Sequence, residues 1–338
     1  MEKELAAAAV PAKAEYEWRI ADFYVEGCDA ALCVEYFGHL LSGMSDGRID
    51  AKYYPSGALG GYEETFDACS IGELEFAMVS PYSSYQELLG IKGLPFAGST
   101  YAKADELFFG EGLIRKVIDD GWEKVGVKHI FAVEGSMHCR ICVKHPLVTP
   151  EDFAGLKFRV PPAKVYEEIF KRITKGITPS AVGQVMPWGE YYSALERGVV
   201  DGGINSMNVY ESMRFFEVAP YWTDINTNYN FDSVIMNLDL YNSLPADIKE
   251  IVDKAGWAAE HFCRSECRAG YAASEARCIA GGATFIHLTD EQRQVFIDKV
   301  NPLDLYEELY KDMLEKNYPG ENMFEQIIDE IKAVEGWK

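Results

Sequence analysis

The residues best suited to chemistry in this chain are a cation and an amide at the ends of two strand-like runs. Gly155-Leu-Lys-Phe-Arg-Val-Pro-Pro162 reads as a strand over 156–160. Pro161 and Pro162 stop it, because proline cannot donate to a sheet ladder. Alternation puts Leu156, Phe158 and Val160 on one face and Lys157 and Arg159 on the other. Ligands of open α/β sheets sit beyond the carboxyl ends of the strands, so Arg159 stands as a fixed cation on that rim. Its planar fork matches a carboxylate bidentately. A second run, Val199-Val-Asp-Gly-Gly-Ile-Asn205, ends on the same rim with Asn205, whose amide can donate to a second carboxylate oxygen. The plain alternatives are an arginine that is solvated or paired to the protein's own acids, and an asparagine that serves a turn.

No catalytic constellation accompanies this pair. The chain has no G-x-S-x-G, no H-E-x-x-H, no P-loop and no G-x-G-x-x-G after a strand. The six histidines are scattered. Cys139 and Cys142 form a C-x-x-C on a strand-like run, where residues three apart face opposite sides and cannot readily share a metal or a disulfide. Cys263 and Cys267 stand four apart on a helix with no histidine at zinc spacing. Buried thiols are the expectation for most of the eight cysteines, and one or two disulfides stay open to an exported protein. Binding without cofactor or metal is expected here, not turnover.

The 338 residues, 48% of them apolar, suffice for two domains with cores of their own. A net charge of −22 argues against nucleic acid and against anionic lipid surfaces. An anionic small ligand is compatible with that charge only if a local cation such as Arg159 faces it. No apolar run is long enough for a membrane span. Ala12-Lys-Ala14 has the small-x-small form of an export cleavage site, but the apolar run at 5–10 is too short for a full signal. Residues 1–14 are therefore expected to be a signal-peptide remnant or a disordered end.

The elements that must position the pair alternate. Strands over 16–25, 48–54 and 74–80 are separated by helices over 28–44 and 62–71, the pattern of a parallel sheet with crossover helices. One helix is expected over 102–120 and strands over 127–133 and 137–143, with the first passage between domains there. Thr149-Pro-Glu-Asp152 starts a helix by its N-cap hydroxyl, proline and first-turn acids. A helix over 162–175 and a strand over 177–182 follow, then a return strand over 219–227. From Leu244-Pro245 a helix runs to about residue 279; at ~1.5 Å per residue its roughly 35 residues reach about 50 Å, longer than one small domain. The expected division is 15–136 with 225–262, 137–224 with 263–315, and a helical extension over 316–338.

Several runs together resemble the solute-binding subunits of tripartite ATP-independent periplasmic (TRAP) transporters, the DctP-type family. They are Tyr54-Pro-Ser-Gly-Ala-Leu-Gly60, Leu94-Pro-Phe96, Thr149-Pro-Glu-Asp-Phe-Ala-Gly-Leu-Lys-Phe-Arg-Val-Pro161, and Met186-Pro-Trp-Gly-Glu-Tyr-Tyr-Ser-Ala-Leu-Glu-Arg-Gly-Val-Val-Asp-Gly202. The resemblance covers roughly residues 15–315. It implies an α/β, two-domain, periplasmic-binding-protein-like fold with a cleft between the domains and one long helix spanning both. It implies an exported, periplasmic protein that captures a small organic acid and delivers it to membrane permease subunits, working as a monomer. A ligand sensor or an enzyme on the same cleft fold are the alternatives.

Residue by residue, Arg159 resembles the family's carboxylate-clamping arginine and Asn205 the asparagine opposite it. Trp188 matches a cleft-lining position, and Glu190 a glutamate that holds a helix start. Gly203 and Ile204 depart from the acidic or amide pair of many members, and Ile204-Asn205 lacks the Glu-Trp pair of metal-using members. An auxiliary arginine occurs in some members near residues 135–140; here Arg140 is the nearest candidate, strand alternation leaves its direction open, and His138 or Cys139 is the alternative to face the cleft. Trp188, Tyr82 and Phe96, with Tyr24, have the apolar area and polar tips to wall it, and core packing is an equal alternative for each.

Overall fold

The computed structural model describes residues 14–110 and 112–337. The stretch read as an export remnant lies outside them, apart from Ala14. The described strands are β1 (Tyr16–Ala21), β2 (Ile49–Tyr54), β3 (Phe76–Val79), β4 (Val127–Met137), β5 (Cys139–Cys142), β6 (Lys157–Val160), β7 (Val182–Val185), β8 (Gly202–Asn205), β9 (Tyr221–Thr223), β10 (Tyr229–Asn237) and β11 (Thr284–Ile286). They form two sheets, ordered β2-β1-β3-β10-β4 and β11-β9-β5-β8-β6-β7. In the first, β1 lies parallel to β2 and β3, while β10 runs antiparallel between β3 and β4. In the second, β6 lies parallel between β7 and β8, and β5 runs antiparallel to β8 and β9.

The central strands are buried on both faces; β3 is accordingly a continuous apolar run, while β10 is buried throughout although it carries Asn230, Asp232, Ser233 and Asn237. Helix Asp29–Met44 crosses over between β1 and β2 and buries Cys33, Val34, Phe37 and Leu41 at helical spacing. Helix Lys164–Thr174 does the same beside β6, burying Val165, Tyr166, Ile169, Phe170 and Ile173.

Three connections join the two lobes. The chain leaves the first sheet at Met137 and enters the second at Cys139, with His138 between. It returns between β9 and β10, and the two passages hydrogen-bond each other: His138 N to Asn228 O at 2.8 Å and Thr227 N to His138 O at 3.1 Å. The third is the helix Ala246–Ala280, whose 35 residues agree with the length read from the sequence. The C-terminal helices fold back on the first lobe, where Tyr310 Oη donates to Gly90 O at 3.1 Å and Glu335 Oε1 accepts from Ser99 N at 2.9 Å. Arg172 ties helix Pro302–Asn317 to the second lobe through Glu308 at 2.7 Å.

Several elements differ from the sequence reading. The helix expected over 102–120 is two, Tyr101–Phe108 and Leu113–Glu123, because Gly110 takes φ +86° between them. The strand expected over 177–182 starts only at Val182, beyond Pro179, which has no N–H for the ladder. The return strand over 219–227 is instead β9, hydrogen-bonded inside the second sheet, and the passage follows it. Glu190 is exposed and makes no side-chain cap to the helix it precedes.

The long helix packs closely on β4. A Cβ on Gly256 would stand 2.7 Å from Ile130 Cγ2 and 3.0 Å from Ile130 O. In an open helix, glycine to alanine gains about 1 kcal/mol. Here the overlap with a strand carbonyl reverses that sign, and Gly256→Ala is expected to destabilise by about 1–2 kcal/mol. Urea unfolding checks this; a stabilised variant would show that the helix does not sit this close to the sheet.

Candidate functional site

Arg159 lies in the middle of the second sheet, paired with Gln184 of β7 and Gly203 of β8. Pro161 ends the strand, so the side chain projects into the space between the lobes. It is 4% exposed. Its Nε donates to Met186 O at 3.1 Å, which anchors one edge of the guanidinium. The rings of Tyr191 and Trp188 lie 5.3 and 5.5 Å from it and hold its plane by cation–π contact. Gly203 makes room for this arrangement, since a Cβ there would stand 2.4 Å from the Tyr191 hydroxyl. Among the described residues no carboxylate pairs with Arg159, and burial pulls its pKa below the ordinary arginine value. The side chain is a fixed, partly desolvated cation with its Nη edge turned to the cleft.

A pocket lies between the lobes at this point, with a cavity volume of about 60 Å³. From the second lobe Arg159, Tyr166, Trp188, Asn205 and Ser206 line it. Asn205 ends β8; its Oδ1 accepts from Ser206 N at 2.8 Å, and its buried Nδ2 has no partner. That is a donor waiting for an acceptor. His138, from the first passage, is half-buried edge-on to Tyr166, and its buried Nδ1 has no partner. Burial, then the charges of Lys92, Arg140 and Arg159, drive its pKa well below the ordinary value, so it stays a neutral imidazole.

The first lobe contributes Tyr24, Tyr62, Tyr82, Lys92, Asn230 and Asp232. Lys92 Nζ donates to Ser80 Oγ at 2.6 Å and pairs with Asp232 Oδ1 at 3.3 Å, and both side chains are almost fully buried. Burial lowers the Lys92 pKa, against the pull of Asp232. The Tyr24 hydroxyl donates to Asp232 Oδ2 at 2.7 Å. The sequence reading missed this wall. The signal was there: Lys92 is the only charge in the apolar run Leu88–Phe96, and Asp232 interrupts the apolar β10.

The structure thus brings together Arg159, Asn205, Trp188, Tyr82, His138 and Tyr24. It places two candidates elsewhere. Phe96 is buried in the core, its backbone N–H bound to Thr227 O at 2.7 Å and its ring beneath Arg293, because it follows the turn that closes under the passage strands. Arg140 lies behind the cleft wall, where Nη1 donates to Thr227 Oγ1 at 2.9 Å. It has no carboxylate partner among the described residues, and burial lowers its pKa to about 10. It therefore adds positive potential to the cleft without lining it. Cys139 and Cys142 point to opposite sides of β5, into different core clusters, and all eight cysteines are free thiols.

Two α/β lobes joined by paired passage strands and one long helix, with an uncompensated arginine on the wall between them, are the architecture of a cleft-type solute-binding protein. The chain matches the model of the bacterial extracellular solute-binding proteins, family 7 (DctP), over residues 30–313, and it belongs to that family, the solute-binding subunits of TRAP transporters. It is 27% identical over 273 residues to the C4-dicarboxylate-binding periplasmic protein DctP of Rhodobacter capsulatus, covering 79% of each chain. It is 25% identical over 327 residues to the ectoine-binding periplasmic protein TeaA of Halomonas elongata, covering 94% of this chain and 91% of that one. A TRAP periplasmic solute-binding protein of Roseobacter denitrificans, solved with bound β-D-glucuronate, superposes with a TM-score of 0.80 at 23% identity, covering 92% of this chain and 98% of that one.

Asp22, at the end of β1, carries a pH-dependent burden. It is 2% exposed and accepts from Tyr24 N at 2.8 Å and Tyr53 Oη at 2.6 Å. Burial outweighs these bonds and raises its pKa to about 7. A carboxyl whose folded pKa exceeds its unfolded one opposes folding once ionised, so stability falls as pH rises between the two values. Asp22→Asn keeps an acceptor and cannot titrate. Relative to the variant, the wild type is expected to lose about 3–4 kcal/mol between roughly pH 4 and pH 8. Urea unfolding across that range checks it, and a pH-independent difference would refute the raised pKa.

Proposed function

We propose that this chain captures a small hydroxylated organic acid in the interdomain cleft, outside the cytoplasm, and hands it to TRAP permease subunits. One observation carries this reading: Arg159 is a cation inside the cleft, and among the described residues no carboxylate neutralises it. Burying it without an anion is costly, and an incoming carboxylate removes that cost. In this reading the Nη edge of Arg159 grips the acid group, and Asn205 Nδ2 donates to one of its oxygens. Trp188 and Tyr82 flank the ligand body.

The opposite wall favours hydroxyl groups. Lys92 supplies N–H donors, and Asp232 keeps lone pairs beyond those used by Lys92 and Tyr24. A second carboxylate on the ligand would find no unpaired cation on this wall, because Lys92 is already paired with Asp232. A uronate or aldonate needs none, and the glucuronate held by a structural neighbour and the dicarboxylate of a relative both support an acid ligand. Closure of the two lobes over it would present the loaded form to the permease.

Thermal unfolding in the presence of glucuronate, galactonate and succinate tests the class, and the hydroxylated acids are expected to give the larger shifts. Arg159→Ala is expected to weaken the best acid by about 10²- to 10³-fold, the loss typical of removing one partner of a desolvated charge pair. Arg159→Lys is expected to recover little of it, because an ammonium lacks the fork. An Arg159→Ala variant that responds to the acid as the wild type does would overturn the clamp.

A further inference from the structure

We propose that Cys33, Cys263 and Cys267 form a trithiolate site for a soft monovalent cation, Cu(I). Cys33 lies on helix Asp29–Met44, and Cys263 and Cys267 lie one turn apart on the long helix, facing it. The three sulfurs all lie within 4.8 Å of one another, and those of Cys263 and Cys267 are 3.8 Å apart. A metal bound to three sulfurs at about 2.3 Å in one plane sets them about 4 Å apart. The cluster therefore needs only a sub-ångström contraction to close around an ion. Cys33 and Cys263 are fully buried and Cys267 partly so. A chance contact of core thiols accounts less well for three cysteines from two helices meeting at one point.

The donor set selects the ion. Among the described residues, no imidazole or carboxylate oxygen joins the three sulfurs within that sphere. The nearest oxygens are backbone carbonyls already facing thiols, Asp29 O at 2.9 Å from Cys33 Sγ and Glu134 O at 3.4 Å from Cys267 Sγ. Structural zinc takes four ligands and closes its shell, which this site lacks. Thiolates without harder donors select soft ions, and Cu(I) is satisfied by three of them. Burial and mutual proximity raise the thiol pKa values, so an ion that binds displaces the thiol protons. The cluster is remote from the acid cleft and joins the first lobe to the helix that spans both.

The test uses the full chain, reduced and held without oxygen, titrated with Cu(I) against a chromophoric Cu(I) chelator. One Cu(I) per chain is expected to be retained, with a first shell of sulfur alone by X-ray absorption. Cys33→Ala and, separately, Cys267→Ser are expected to weaken retention by at least about 100-fold, beyond the usual cost of losing a supporting contact. Cys142→Ser, in the other lobe, should leave it unchanged. The thermal response of each variant to the organic acid reports that it is folded. Retention unchanged in folded Cys33→Ala and Cys267→Ser would overturn the proposal. So would peptide mapping that finds Cys33 joined to Cys263 or Cys267 by a disulfide in the exported protein.

Discussion

The structure turns on a cation that the protein buries and does not neutralise. Ordinary buried arginines meet a carboxylate, because desolvating a charge without a partner costs several kcal/mol. Arg159 meets instead a single carbonyl, from Met186, and two aromatic faces. Those contacts fix its direction and leave its charge unsatisfied. The strand that carries it sits between two parallel neighbours, and Gly203 on one of them opens space for the Tyr191 ring that holds the guanidinium. The scaffold thus keeps a reactive electrostatic deficit in place without letting the side chain escape to an acid of its own.

The first lobe solves the opposite problem. Lys92 and Asp232 are nearly as buried as Arg159, yet they neutralise each other, while Ser80 accepts from Lys92 and Tyr24 donates to Asp232. That wall is polar without net charge. A ligand between the lobes meets charge on one side and neutral donors and acceptors on the other, so one end of it is fixed by charge and the rest by hydrogen-bond pattern. The passage strands that connect the lobes also hold His138 and Asn228 together, and His138 stands at the back of the cleft. Any change in the angle between lobes acts on the groups that line the site.

The two-domain α/β organisation was legible because its signals are local and redundant: proline stops, strand-helix alternation, and a helix too long for one domain; the family was legible from the runs at 54–60, 94–96, 149–161 and 186–202 that resemble it. Arg159 and Asn205 could be placed on one rim because strand ends are marked by Pro161 and by Asn205 itself, and Trp188 could be placed by its match to a cleft-lining position of the family. Phe96 could not, since a turn aromatic reads the same whether it faces a cleft or a core, and only the Thr227 contact decides it. Arg140 shows the limit of alternation: the strand period left its direction open, and Thr227, distant in sequence, takes its guanidinium. Lys92 and Asp232 become a pair only when β10 inserts between β3 and β4, a non-local event that no periodicity reports.

The chain's charge of −22 looks hostile to an anionic ligand, and the geometry explains why it need not be. Exposed charges more than about 10 Å away are screened in physiological salt, whereas a buried group a few ångströms from the ligand acts through a medium of much lower dielectric. Arg159, with Arg140 behind the wall, governs the potential inside the cleft, and the acids on the surface govern it outside. Added salt should therefore change the rate at which an acid reaches the cleft more than the strength with which it is held there. An acidic exterior is then no obstacle to specificity: it discourages loosely held anions at the surface, while the cleft is governed by the guanidinium of Arg159 that lines it and that of Arg140 behind its wall.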